Sequence, residues 1–237
     1  MNGISYNGKH SFKDFKVTMP PGKDIGFPDK EKILVKVPFS NEEYDFSDIY
    51  GSQVYSSRSL SYPFNIVNMA KATKVAMNTQ KTMIINWLLN SKGKQKLYDD
   101  VFPGYYFLAE VEGNSSFNED RELGILNVTF KAYPFMIAER EEGHDIWDDI
   151  NFDLDVLQPV EFTVDGSLTV TLLNVGVPDL IPKISASSEF SILMDGISYI
   201  VPSGESKSSE FFLKSGENEM TITGNGTISF LFYKELI

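Results

Sequence analysis

Residues 123–134 run Leu-Gly-Ile-Leu-Asn-Val-Thr-Phe-Lys-Ala-Tyr-Pro, and the pattern of this stretch predicts β structure. Leu126, Val128 and Phe130 alternate with polar residues, which is the period-2 pattern of a half-buried strand. Pro134 predicts the end of that strand, because proline cannot donate a hydrogen bond to a sheet ladder. The stretch therefore indicates a β domain that closes at Pro134.

Similar strand patterns precede this stretch. Asn7-Gly8, directly after Ile4 to Tyr6, is a strong signal for a hairpin turn. Further strand-like runs cover Phe12 to Met19, Lys32 to Phe39, Gln53 to Tyr55, Ser57 to Ile66 and Tyr105 to Val111. The first half of the chain is therefore predicted to be β architecture.

One segment departs from the period of two. Its apolar residues form pairs four apart, namely Met83/Trp87, Ile84/Leu88 and Ile85/Leu89. This spacing places them on neighbouring turns of a helix, and Asn78 or Thr79 is a suitable N-cap. A single α-helix is predicted over about 79–90.

An acidic stretch follows the first β domain. Eight acidic residues and a single basic one, Arg140, lie between Glu139 and Asp155. Because like charges repel and resist burial, the part from Glu139 to Asp149 is interpreted as a solvated connection between domains. The predicted domains are residues 1–134 and 135–237.

Short strands return after the acidic stretch. They are predicted at Val160 to Val164, Ser167 to Leu172, Ile184 to Ala186, Phe190 to Met194, Ile197 to Val201, Glu210 to Leu213, Glu219 to Thr223 and Thr227 to Tyr233. Turns are predicted between them at Asp165-Gly166, Asp195-Gly196, Ser215-Gly216 and Gly224-Asn225-Gly226. Short strands with turns at this spacing are typical of a β-sandwich. The chain is thus expected to be mainly β, with two sandwich domains.

Composition and charge narrow the function classes. The chain is 42% hydrophobic and 23% charged, which is a globular profile. Residues 1–133 hold 16 Lys/Arg against 15 Asp/Glu, and residues 134–237 hold 5 against 18, which together make the 21 and 33 of the whole chain. The acidic second half disfavours binding to a phosphate backbone, so no sequence-specific nucleic acid binding is expected.

The sequence has no cysteine, which excludes disulfides, thiolate metal sites and cysteine nucleophiles.

The sequence also argues against export and membrane insertion. Lys9, His10 and Lys13 stand where a signal peptide would need apolar residues, and no run of about 18 apolar residues occurs.

No motif for catalysis, cofactor binding or metal binding stands out. The two histidines, His10 and His144, lie in different halves, and neither a G-x-S-x-G elbow nor a phosphate-binding glycine loop is present. The cluster of Asp148, Asp149, Asp153 and Asp155 leaves open a glycosidase pair or a calcium site, although a solvated linker is the favoured interpretation. We therefore expect no enzyme, no cofactor and no metal.

The two tryptophans have different predicted roles. Trp87 lies on the predicted helix and is expected in the core. Trp147 lies in the acidic connection, where it is interpreted as an interface anchor, with sugar stacking as the alternative.

The order of these features is similar to that of the distal tail protein (Dit) family, which forms baseplate hubs in long-tailed bacteriophages. In the first half the resemblance rests on Met1-Asn2-Gly3-Ile4, Arg58-Ser59-Leu60, Ile85-Asn86-Trp87-Leu88, Lys94-Gln95-Lys96-Leu97 and the segment from Leu126 to Pro134. In the second half it rests on Asn174-Val175-Gly176, Pro182-Lys183-Ile184, Asp195-Gly196 and Gly216-Glu217-Asn218.

The resemblance implies a structural protein of the virion tail tip. Its N-terminal sandwich would carry one helix and a protruding hairpin and would form a homo-hexameric ring. Its C-terminal sandwich would be galectin-like and would dock receptor-binding or other baseplate proteins. The tail tube protein and the tail-associated tip protein would be further partners, with assembly in the host cytoplasm.

One residue is a candidate for the ring interface. The segment from Met19 to Val37 is the predicted protruding hairpin, and Phe27 lies within it between proline and glycine breakers. An exposed phenylalanine at such a place is expected to be covered by a partner.

Two other functions remain open from the sequence. A carbohydrate-binding β-sandwich that recognises the host surface is the first alternative. A glycoside hydrolase accessory or catalytic β domain is the second, and it lacks a convergent catalytic set.

Overall fold

Strands dominate the computed structural model, which describes residues 2–47, 49, 51–67, 73–112, 115–120, 123–144, 151 and 153–237. The chain divides into two compact units, residues 1–136 with 237 and residues 137–236. Mainly β architecture was expected from the sequence, and it is confirmed.

The first unit is built on one antiparallel sheet. Its elements are β1 (Ile4–Tyr6), β2 (Lys9–His10), α1 (Ser11–Phe15), β3 (Asp24–Ile25), β4 (Leu34–Lys36), β5 (Glu43–Asp45), β6 (Arg58–Ile66), α2 (Lys74–Leu89), β7 (Gln95–Asp99), β8 (Tyr105–Val111), β9 (Ser116–Asp120) and β10 (Leu123–Ala138). The strand order is β2-β1-β7-β8-β10-β6-β3, with β9 also paired to β10. Leu126, Val128 and Phe130 of β10 are buried, as their alternation predicted.

A short first helix replaces the beginning of a predicted strand. The prediction of a strand from Phe12 to Met19 is wrong over residues 12–15, which belong to α1 (Ser11–Phe15). Nδ1 of His10 accepts hydrogen bonds from the backbone N–H groups of Phe12 and Lys13, each at 3.0 Å, and so caps this helix. Lys16, at φ 56°, ends it. The described residues of the first unit therefore form two helices, α1 and α2, where the sequence predicted one.

The second helix starts earlier than predicted. It begins at Lys74 because Oγ1 of Thr73 accepts from the backbone N–H of Ala76 at 3.2 Å. The first turn of α2 carries Val75, which is exposed. The apolar pairs four residues apart, which predicted a helix over 79–90, begin only after this turn. Neither described helix is long and apolar enough to cross a membrane.

Strand β10 also differs from its prediction, because it passes through Pro134 and ends at Ala138. The pairing of β10 with β6 ends at Ala132, opposite Arg58. The missing N–H of Pro134 therefore breaks no hydrogen bond of that ladder. The neighbouring β9, at Ser116–Asp120, was not predicted from the sequence.

The second unit is a β-sandwich. Its strands are β11 (Glu161–Asn174), β12 (Lys183–Ala186), β13 (Phe190–Met194), β14 (Ile197–Val201), β15 (Gly204–Ser206), β16 (Gly216–Leu231) and β17 (Glu235–Leu236). The first half of β16 pairs with β13 and the second half with β12, while β11 pairs with β16 along its whole length. Inward residues of both halves share one core, which includes Val170, Ile192, Ile222, Ile228 and Phe230.

Two of the predicted turns lie instead inside long strands. Gly166 of β11 pairs with Gly224 of β16, and both have positive φ values, 78° and 148°. These glycines let the paired strands continue through a non-extended conformation instead of reversing. The predictions of turns at Asp165-Gly166 and Gly224-Asn225-Gly226 are therefore wrong. The turn at Asp195-Gly196 is confirmed, with φ values of 53° and 77°.

Candidate functional site: an exposed two-stranded hairpin

The most unusual surface of the first unit is a hairpin that is separate from its main sheet. Strands β4 and β5 pair only with each other in the described chain, with Val35 opposite Tyr44 and Lys36 opposite Glu43. A backbone hydrogen bond from Phe46 to Ile33, at 2.9 Å, closes its base. Every residue of both strands is exposed.

Charged and hydroxyl side chains hold the hairpin together on one face. Nζ of Lys32 lies 2.7 Å from Oδ2 of Asp45, and Lys36 lies 3.5 Å from Glu43. Asp45 also accepts hydrogen bonds from the hydroxyl and the backbone N–H of Ser47. The bonds from Lys32 and Ser47 hold the pKa of Asp45 well below its usual value.

The apolar side chains of the hairpin are exposed to solvent. We call them the hairpin surface, which consists of Ile33, Leu34, Val35, Phe39, Tyr44 and Phe46. Phe39 is fully exposed and has a φ of 62°, in the left-handed region. Val35 and Tyr44 point to one side of the hairpin and Leu34 to the other, since side chains alternate along a strand. Neither side is covered by described residues.

The hairpin lies later in the chain than predicted. Within the predicted range of Met19 to Val37, Asp24–Ile25 form β3 and pair with β6, and Lys30 forms a bridge with Tyr55. Phe27 lies in the connection between β3 and β4 and is 80% exposed. Its part in an interface stays a prediction. Trp147, the other interface candidate, lies outside the described residues.

The two histidines belong to different units. His10 is buried as the cap of α1, and its Nε2 lies 3.0 Å from Oδ2 of Asp100. Because Nδ1 accepts two backbone N–H bonds, the imidazole carries its proton on Nε2. His144 lies in the second unit, near Glu142. The hydrogen bonds of the His10 ring go to Asp100, Phe12 and Lys13, and none of them goes to a serine.

The acidic stretch is partly buried, contrary to prediction. Nζ of Lys234 lies 3.7 Å from Oε2 of Glu142 and also contacts Oδ1 of Asp155. Glu142 and Lys234 are both almost inaccessible to solvent. Burial raises the pKa of Glu142, and the Lys234 ammonium partly offsets that effect. A buried cation therefore replaces the solvation that the linker prediction assumed. Asp148 and Asp149 lie outside the described residues.

A second buried polar network supports the connection that leads to the hairpin. Nε of Arg58 donates to the carbonyl of Gly26 at 2.8 Å, and its Nη1 donates to the carbonyl of Pro134 at 3.2 Å. Burial lowers the pKa of Arg58. Tyr62 and Lys23 donate to the fully buried carboxylate of Asp99, at 3.1 and 2.9 Å. Nothing in the local sequence of Asp99 indicates this network, because its partners Lys23 and Tyr62 are distant in the chain.

Trp87 is a core residue, as predicted. Its indole Nε1 donates to the carbonyl of Tyr6 at 2.7 Å, and its ring stacks on Phe15 with a centroid distance of 4.7 Å. The indole thereby joins α2 to both β1 and α1. This tryptophan has a structural role and does not form a ligand platform.

Several clefts in the described part of the first unit have mostly apolar walls. One cleft of about 480 Å³ lies beside the β9–β10 hairpin, and its wall is mostly apolar, with Ile66, Leu123 and Ile125. Glu119, at its rim, forms an ion pair with Lys74 at 2.9 Å. No group of three His, Asp or Glu residues in the described ranges is placed to hold a metal ion.

Comparison with known proteins shows a similarity to a solved structure. No protein-family model matches the chain, and no curated protein matches it. Among solved structures, the chain is similar to the SPP1 Dit protein, a paradigm of the hub adsorption apparatus in phages that infect Gram-positive bacteria. The sequences are 12% identical, the match covers 100% of both chains, and the TM-score is 0.62. The chain therefore shares the fold of a phage Dit protein over its whole length.

Proposed function

We propose that this chain is a structural hub protein of a phage or prophage tail tip, and that it forms a hexameric ring. The observation that carries the proposal is the exposed hairpin surface on a chain with the fold of SPP1 Dit. An isolated two-stranded hairpin is marginally stable in water, so a surface of this kind favours a role in contacts between chains.

The ring would be held by head-to-tail contacts. In such a contact the hairpin surface of one copy packs on a different surface of the next copy, and the rotation between neighbours closes the ring. Six copies of 26.7 kDa give a particle of about 160 kDa. Phe27, which lies in the connection before β4, would belong to the same interface.

The two units would have separate tasks. Residues 1–134 would form the ring that meets the tail tube protein and the tail-associated tip protein. Residues 135–237, with a galectin-like fold, would dock receptor-binding or other baseplate proteins. The protein would act in the virion after assembly in the host cytoplasm. Its role would be architectural, without catalysis.

Substitutions on the hairpin surface test this proposal. Val35→Lys with Tyr44→Lys places two cations in the proposed interface, and Ser208→Lys with Ser209→Lys adds the same charge at exposed positions of the second unit. Light scattering is expected to show a hexamer for the wild type and for the control, and a monomer for the hairpin variant. Equal association of both variants would show that the hairpin does not hold the ring.

A further inference from the structure

As far as the second unit is described, its sheet has three edges, and two of them are protected. Strand β15, at one edge, is three residues long and carries Glu205, which forms an ion pair with Lys183 at 2.7 Å. Short length and charge are common devices that prevent an edge from pairing with another chain. This edge is therefore a poor site for an added strand.

The second edge, β11, is protected in a different way. Its extended geometry is interrupted at Gly166, which has a φ of 78°. Near its end, the side chain of Gln158 donates to the carbonyl of Leu173 at 2.7 Å and accepts from its N–H at 2.8 Å. The side-chain amide thus occupies backbone groups that another strand would need.

Strand β14 is the third edge and lacks such protection. Among the described strands it pairs only with β13, and its sequence Ile-Ser-Tyr-Ile-Val has neither a charged residue nor a proline. Ile197 and Ile200 are 55% and 65% exposed. A regular, uncharged edge strand with exposed apolar side chains is a template for pairing with another chain.

The turn before β14 determines which of its backbone groups are free. In a two-residue hairpin the flanking residues, here Met194 and Ile197, exchange both hydrogen bonds. Bonded pairs then alternate along the ladder, so Tyr199 and Val201 also face β13. The N–H and C=O groups of Ser198 and Ile200 point away from it. None of these groups is bonded to another strand in the described chain.

The face of the sheet next to this edge is uncharged over two rows. One row runs from Ile200 through Ser191 and Thr223 to Ser167, and the other from Ser198 through Leu193 and Thr221 to Thr169. Charges lie around this face, and residues 134–237 hold 5 Lys/Arg against 18 Asp/Glu. A second copy of this unit would therefore be repelled, and a basic segment would be attracted.

We infer that β14 binds an extended strand of a different polypeptide, one that carries basic residues at its ends and alternates apolar and polar residues. The added strand would hydrogen-bond to the backbone of Ser198 and Ile200, and its apolar side chains would cover Ile200 and Leu193. Strand addition of this kind takes its affinity from main-chain bonds and its specificity from alternate side chains. The inference rests on the proposed docking role of the second unit.

A labelled synthetic peptide tests this inference. The peptide is Lys-Lys-Thr-Val-Thr-Ile-Thr-Lys-Lys, and its binding to the full chain is followed by fluorescence anisotropy. Ser198→Pro removes an outward N–H without breaking the pairing with β13, whereas Ser198→Thr keeps that N–H. We expect saturable binding to the wild type and to Ser198→Thr, and binding weaker by about tenfold for Ser198→Pro. Equal binding to both variants, or no binding to the wild type, would overturn the inference.

Two further measurements test whether binding depends on the charge of the peptide and on the β14 edge. A peptide with glutamate in place of every lysine is expected to bind at least about tenfold more weakly, because the unit is acidic. Should Ser198→Pro fail to fold, amide hydrogen exchange of the wild type replaces it, with slower exchange expected at Ser198 and Ile200 when the peptide is bound. Wild-type dimers that Ser198→Pro abolishes would identify a second copy as the occupant and overturn the inference. The hairpin is unchanged in every arm, so failure here is distinct from failure of the ring.

Discussion

Nε2 of His10 donates a hydrogen bond to Oδ2 of Asp100 across 3.0 Å, and this contact joins the N-terminal hairpin to the turn after β7. The backbone N–H of Gly3 donates to the same oxygen at 2.8 Å. Burial raises the pKa of Asp100, but the bonds from His10 and Gly3 outweigh it, and the pKa lies below its usual value. The ionised carboxylate therefore contributes to the stability of the first unit.

Asp100→Asn is expected to lower the free energy of unfolding by about 1 kcal/mol at pH 7, an amount limited by the partial exposure of the side chain. A carboxyl with a depressed pKa stabilises the fold above its unfolded value and loses that contribution as the pH falls through its folded value. The difference between wild type and variant should thus shrink below a pH of about 4. Urea unfolding at several pH values measures it, with Asp29→Asn as the exposed control. A difference that persists at low pH would contradict this account.

Lys234→Met is expected to be far more damaging, because it leaves Glu142 and Asp155 without their buried cation. Loss of one partner of a buried ion pair costs about 3–5 kcal/mol. Thermal unfolding of Lys234→Met and of Lys207→Met, an exposed control, compares the two sites. A Tm of Lys234→Met as high as that of the control would rule out a stabilising role for the buried cluster.

The same variant has a predicted pH dependence. The pKa of Glu142 is raised in the folded state. The Lys234 ammonium offsets part of this rise, so its removal raises the pKa of Glu142 further, and acidification then favours the folded variant more than the folded wild type. The deficit of Lys234→Met should therefore be smaller at pH 5 than at pH 8. A deficit that grows on acidification would show that the sign is wrong.

Gly224→Ala tests the conformation inside β16. A Cβ at Gly224 would lie 2.5 Å from the ring of Phe190 and 3.1 Å from the carbonyl of Glu189, at a φ of 148°. Gly166, directly opposite, also has a positive φ but nothing within 4 Å of its Cβ position. We expect losses of about 3 kcal/mol for Gly224→Ala and about 1 kcal/mol for Gly166→Ala in chemical unfolding. Equal losses would mean that contact with Phe190 adds nothing.

The strands that alternate cleanly were predictable from the sequence, and so were the turns that need two positive φ values. Asn7-Gly8 and Asp195-Gly196 are hairpin turns in the structure, with positive φ at all four residues. Gly166 and Gly224 carry the same local signal, yet they lie opposite each other inside a long ladder. Only the pairing partner distinguishes a turn from an interrupted strand, and the partner is distant in sequence.

The remaining errors have different physical origins. Helix α1 depends on the ring nitrogen of His10, and histidine is not among the usual N-cap residues. Glu142 is buried because Lys234, close to the C-terminus, reaches it. The hairpin surface was misplaced because Met19 to Val37 contains strong breakers, whereas the actual strands are only three residues each. Exposure of Phe39 and Tyr44 could not be read from their types.

The most direct test of the account is the mass and shape of the full chain in solution. Mass photometry followed by negative-stain electron microscopy should show a particle of about 160 kDa, a six-fold ring with a central hole. A chain that stays at 26.7 kDa at every concentration, or that forms a closed two-fold dimer, would contradict the proposal of a hexameric hub.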